Sequence, residues 1–94
     1  MRQDTKNQII QYLKKYKPNR IGIFGSFARN EDNPDSDIDI LVDFSGKITL
    51  FDLGGIKYDL SHLLNRPVDI VTERGLNNRL RDSVHKNLKI IYGE

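Results

Sequence analysis

The chain has 94 residues, 37% of them apolar and 30% charged, with a net charge of +2 and no cysteine. That is room for one hydrophobic core, a single domain over 1–94, and too little for a second domain enclosing a substrate. Disulfides, thiolate metal sites and a cysteine nucleophile are excluded, and so slight a basic excess does not indicate nucleic acid as a direct partner.

No apolar run approaches the ~18 residues that span a bilayer, and the start, Met1 to Thr5, has no export-signal character. A soluble cytoplasmic protein with no membrane partner is expected. Ile9, Ile10, Leu13 and Tyr16 recur at helical spacing, Thr5 with Gln8 fits a capping box, and Pro18 stops the segment. Arg20 to Phe24 reads as a short strand with Ile21 and Ile23 on one face and Gly22 and Phe24 on the other. Gly25-Ser26 breaks that pattern, and a brief helix is expected over about Phe27 to Arg29. Glu31 to Ser36 is a loop by composition, and Asp37 to Phe44 a second strand.

After the turn at Ser45-Gly46-Lys47, the positions Leu50, Leu53, Ile56, Tyr58, Leu60, Leu63 and Leu64 predict a long amphipathic helix ending at Asn65-Arg66-Pro67. Gly54-Gly55 inside it is unfavourable, each glycine weakening a helix by ~1 kcal/mol relative to alanine. The pair marks either a break or a place where another backbone comes close. Val68 to Thr72 is a third strand, and about Asn77 to Leu88 a last helix with Leu80, Val84 and Leu88 in phase. Lys89 to Tyr92 reads as an edge strand. The elements give an α/β (α+β) fold, a small mixed sheet packed with helices.

Alternation points Asp37 and Asp39 to one face of the second strand, their Cα atoms ~7 Å apart at ~3.3 Å rise per residue. Two carboxylates so placed suit Mg²⁺, which takes hard oxygen ligands and usually only one or two carboxylates beside phosphate oxygens and water. A solvated strand face gives the same alternation. Asp69, between Val68 and Ile70 and on the opposite face from both, adds a third acid to the same surface if the third strand lies beside the second. Like charges would then crowd unless a cation neutralised them. Gly25-Ser26 sits where a strand gives way to a helix, and amides at such a start attract phosphate, with the serine hydroxyl as a further donor. As a dipeptide it is also a common turn. His62 and His85 have no second ligand at metal spacing and read as surface residues, and the Lys and Arg from Arg74 to Lys89 as a solvated helix face.

Gly25-Ser26, ten residues, then Asp37-Ile38-Asp39 resembles the Gly-Ser and Asp-x-Asp signature of the DNA polymerase beta nucleotidyltransferase superfamily. The fuller Gly25 to Arg29 and Ser36 to Ile40 stretches are similar to its minimal nucleotidyltransferase (MNT) branch, as are Leu50 to Gly55, Arg66 to Val71 and Ile90 to Gly93. The family's glycine after the arginine is Asn30 here, a residue that also tolerates a left-handed turn. The resemblance implies the nucleotidyltransferase fold, and metal-binding, catalytic roles for Asp37, Asp39 and Asp69. It implies triphosphate binding by Gly25 and Ser26, with Arg29 on phosphate or anchoring the loop, and Ser36 at the nucleotide or capping the turn. It also implies two Mg²⁺ ions with bound ATP, ~3.5–4 Å apart as in two-metal sites, and transfer of AMP to a hydroxyl. The acceptor by resemblance is a tyrosine of a HEPN-type RNase toxin encoded nearby, the chain being its antitoxin. An antitoxin that acts by contact alone, with a vestigial nucleotide site, is the alternative, and a stand-alone enzyme on a small molecule a third.

Overall fold

The computed structural model describes residues 3–25 and 37–93. The expected helix over Phe27 to Arg29 and the loop over Glu31 to Ser36 lie outside the described residues.

Helix α1 runs Gln3–Leu13 and tightens into a 3₁₀ turn, Lys14–Tyr16. Lys17, left-handed at φ 52°, closes the turn by donating its N–H to Lys14 O at 3.0 Å. Thr5 lies inside α1 rather than capping it, because the helix is already formed at Gln3. The capping box is instead at Thr49: Asp52 N–H donates to Thr49 Oγ1 and Thr49 N–H to Asp52 Oδ2, both at 3.0 Å. Two otherwise orphaned donors are thereby satisfied at the start of α2, Leu50–Leu64. Gly54-Gly55 does not break this helix, which is continuous through both.

Strands β1 (Pro18–Phe24), β2 (Ile38–Phe44), β3 (Val68–Thr72) and β4 (Lys89–Tyr92) form one mixed sheet in the order β3-β2-β1-β4. β1 begins two residues before the expected Arg20, with a register irregularity between Pro18 and Arg20. It pairs antiparallel with β2 and β4, whereas β2 and β3 are parallel. Parallel neighbours need a crossover, and α2 supplies it. The crossover is pinned where β3 starts: Val68 N–H donates to Ser61 Oγ at 3.1 Å, and Ile38 N–H to Pro67 O at 2.9 Å.

α1 and α2 cover one face of the sheet, where Ile9, Leu13, Ile21, Ile23, Ile40, Ile56 and Leu60 are all 0% exposed. Tyr12 joins the two helices by donating its hydroxyl to Asp59. Burial, followed by its hydrogen bonds with Asp59 and Tyr16, raises the Tyr12 phenol well above its ordinary value. On the other face Leu88 sits over Gly22, within 2.6 Å of where a Cβ would be.

The last helix departs from expectation. α3 covers only Asn78–Lys86 and has no buried residue, with Leu80 51% exposed. Leu88 packs from outside the helix, so the Leu80, Val84 and Leu88 phase does not make a core stripe. Asn77 caps α3 through Leu80 N–H at 2.8 Å, and His85 Nε2 lies 2.9 Å from Glu73 Oε1. In α2 likewise, Leu50 and Tyr58 were expected on the apolar side but face outward, because Ile56 and Leu60 set the buried direction.

Candidate active site

The site follows from one register. Parallel pairing sets Asp39 opposite Asp69, and antiparallel pairing sets Asp39 opposite Phe24, the last residue of β1. Ile38, Ile40 and Val42 are buried against the helices, so the period of two turns Asp39 to the opposite face of the sheet, and the register carries Asp69 with it. Asp37, exposed, stands just before β2 on the same alternation.

Gly25 follows Phe24 with φ +76°, a conformation side chains rarely adopt, and a Cβ there would collide with Asp39 Oδ2. The glycine expected to let phosphate approach the backbone thus also makes room for a carboxylate. Ser26, Arg29 and Ser36 lie outside the described residues.

Asp39 is partly buried. Burial raises its proton affinity above the ordinary carboxylate range, and the charges of Asp69 and Asp37 raise it further. Such a group is relieved by a proton or by a cation. Among the described residues no group of three His, Cys, Asp or Glu side chains stands close enough to enclose an ion. The aspartates share an electrostatic neighbourhood rather than a closed cage. This donor set fits Mg²⁺, which leaves most of its positions to water and phosphate oxygens.

Lys57 was not anticipated. It projects from α2, twelve positions before Asp69 in the chain, and its Nζ lies 3.9 Å from Asp69 Oδ1, with both side chains more than half exposed (60% and 53%). Exposed pairs of this kind contribute little stability. It places a positive charge beside Asp69, one of the three clustered acids. No sequence motif marks Lys57, since its proximity depends on how α2 packs beside β3. His62 stacks on Tyr58 with ring centres 4.2 Å apart, and His85 pairs with Glu73, so neither histidine approaches the aspartates.

A cavity of about 320 Å³ lies at the far end of β2 and β3, lined by Asp43, Lys47, Thr72, Glu73 and Arg74 among others. Asp37, Asp39 and Asp69 are not among its lining residues.

A family profile described as nucleotidyltransferase domain matches residues 6–91. A Methanocaldococcus jannaschii protein provisionally named a protein adenylyltransferase is 42% identical over 81 residues, covering 86% of this chain and 87% of the relative. The Thermococcus cleftensis protein adenylyltransferase MntA is 35% identical over 71 residues, covering 76% of this chain and 72% of MntA. Among solved structures, a chain of a toxin-antitoxin with AMP-PNP superposes with TM-score 0.88 at 27% identity, over 95% of this chain and 73% of that one. A chain from the tri-AMPylated Shewanella oneidensis HEPN toxin in complex with MNT antitoxin gives 0.83 at 27% identity, over 100% and 74%. The expected mixed-sheet fold and the resemblance in the motifs are thus both met: the chain belongs to the nucleotidyltransferase domain family, in its minimal branch, and is a nucleotidyltransferase.

Proposed function

We propose that this chain transfers AMP from ATP, with Mg²⁺, to a tyrosine hydroxyl of a HEPN-type RNase toxin encoded nearby, and so acts as its antitoxin. The observation that carries the reading is the cross-strand pair Asp39 and Asp69, held side by side at the Gly25 turn. The related proteins are named for protein adenylylation, and one solved neighbour contains an AMPylated HEPN toxin.

Asp37, Asp39 and Asp69 would hold Mg²⁺, which when bound would supply charge neutralisation at the triphosphate and a lower pKa for the attacking hydroxyl. Gly25 and Ser26 hold the triphosphate through backbone amides and the serine hydroxyl, with Arg29 and Ser36 as further nucleotide-binding residues. Asp69, exposed at the strand edge, accepts the proton from the tyrosine oxygen. That oxygen attacks the α phosphorus in line, a new O–P bond forms, the bond from the α phosphorus to the bridging oxygen breaks, and pyrophosphate leaves. Rate enhancement comes from positioning and electrostatics, without a covalent enzyme intermediate.

ATP labelled at the α phosphate, offered with Mg²⁺ and the HEPN-type protein encoded nearest this chain, tests the proposal. Label on a tyrosine of that protein, lost with Asp39→Asn, is the expected result. A tight complex without label would overturn it in favour of an antitoxin acting by contact alone.

A further inference from the structure

Helix α2 is apolar on two opposite sides. Its inner side carries Ile56 and Leu60, both fully buried, with Leu53 and Leu64 packed beside them. Helical spacing gathers Phe51, Gly54, Gly55, Tyr58 and His62 on the outer side, and Leu50 adjoins them. Leu50 is 87% exposed, Phe51 91% and Tyr58 64%. No lysine, arginine or carboxylate stands among these outer positions, although the solvent face of a helix ordinarily carries such groups. α3 shows the ordinary pattern, with Arg79, Arg81, Asp82 and Lys86 on an exposed helix. Between charged flanks carrying Asp52, Lys57 and Asp59, α2 thus presents an exposed apolar face of the kind that marks an interaction site.

The two glycines sharpen this. Among the described residues a Cβ at Gly54 or Gly55 would meet nothing within 4 Å, so packing against them does not require either glycine. With α2 unbroken, the remaining reason for them is close approach by another backbone. Phe51 and Tyr58, two turns apart, wall the notch the glycines leave, and Tyr58 is steadied by its stack on His62 and by His62 Nδ1 at 2.9 Å from Tyr58 O.

The occupant follows from area and position. Two rings exposing at most about 150–250 Å² each, with one leucine, fall short of the ~800 Å² per partner that a stable interface needs. This patch is therefore part of a larger contact. The surface it continues into is the acid site, because Lys57 on the flank of the same helix reaches Asp69. Any protein that lowers a hydroxyl onto Asp69 spreads across that flank. α2 has its own backbone groups paired internally and offers side-chain packing only, which an apolar helix can meet, seated nearer than the usual 8–10 Å between axes. We propose that the outer face of α2, centred on the Gly54-Gly55 notch between Phe51 and Tyr58, docks an apolar helix of the acceptor protein and so brings its hydroxyl to the aspartates. This rests on the proposed function in that the acceptor is a protein.

The test measures affinity for the HEPN-type protein encoded nearest this chain by calorimetry, for the parent and for Gly54→Leu, Phe51→Glu and, on α3, Arg79→Glu. Thermal melts and Mg²⁺·ATP binding are recorded for each. Gly54→Leu has open space around it, so it is expected to melt no lower than the parent and to bind Mg²⁺·ATP equally. Its affinity for the partner is expected to fall at least tenfold, and that of Phe51→Glu further, with Arg79→Glu within twofold of the parent. Parental affinity in both α2 variants would overturn the proposal, as would a loss confined to Arg79→Glu. A parent chain that is itself a dimer, made monomeric by Phe51→Glu, would also overturn it by assigning the face to a second copy. Loss of affinity in the α2 variants, with no label passing from ATP even in the parent complex, defeats the proposed reaction and leaves the docking surface standing. Label transfer by Phe51→Glu at parental affinity does the reverse.

Discussion

On the helix-covered side of β2, Ile38, Ile40, Val42 and Phe44 are at most 5% exposed, while the other side of the strand carries Asp39 and Asp43 around a buried Leu41, with Asp37 just before it. Neighbouring residues in the chain thus serve opposite ends. Each isoleucine turned toward α1 and α2 stabilises the fold by leaving water. Asp39, turned away, is partly desolvated beside two like charges, an arrangement that opposes folding. The contrast teaches that a functional surface can be recognised by where it departs from what stability alone would choose.

The largest effect should come from Ile40→Ala, which removes a fully buried side chain from the stabilising face. A loss of about 2–5 kcal/mol in urea unfolding is expected, with ATP binding per folded molecule retained. Ser26→Ala tests the proposed nucleotide site by deleting one donor to a charged phosphate. A loss of ~1.5–3 kcal/mol, roughly ten- to hundredfold in turnover at limiting ATP, is expected, and unchanged kinetics would remove Ser26 from the site. Gly25→Ala forces a side chain into a left-handed turn against Asp39 Oδ2. About 1–3 kcal/mol of strain should appear in thermal melts, together with weaker ATP binding.

Asp39→Asn gives the smallest change in stability and the most telling sign. A carboxyl that binds its proton more tightly in the folded state adds stability below the ordinary aspartate value of 3.8. It loses that contribution as pH rises through its raised folded value. In chelator, the parent should therefore weaken across that interval as pH rises. The asparagine variant should lack this component and melt higher at neutral pH, with transfer lost. A variant that melts lower in chelator would mean the aspartate is not strained.

Much of this face was legible from the chain because a strand's period of two leaves little choice. With Ile38 and Ile40 inward, Asp37 and Asp39 must face away, and Val68 and Ile70 dispose Asp69 in the same way. Other features depend on tertiary packing and leave no local signature. Lys57 meets Asp69 only because α2 crosses beside the edge strand. Leu50 and Tyr58 match a helical apolar pattern yet point outward, since periodicity does not tell which apolar stripe meets the sheet when a helix has two. Leu80 has the spacing of a core residue on a helix too short to bring Leu88 into line. The Thr5-Gln8 pattern was matched by residues already inside a helix, whereas Thr49-Asp52 carries the hydrogen bonds of a true cap.

The central claim is that the aspartate face accepts a triphosphate only together with a divalent metal, because a bare triphosphate beside these carboxylates is repelled. Isothermal titration of ATP into the chain, in excess Mg²⁺ and in excess chelator, tests it most directly. Binding is expected in Mg²⁺ and loss of measurable binding in chelator. Equal affinity in the two conditions would contradict it.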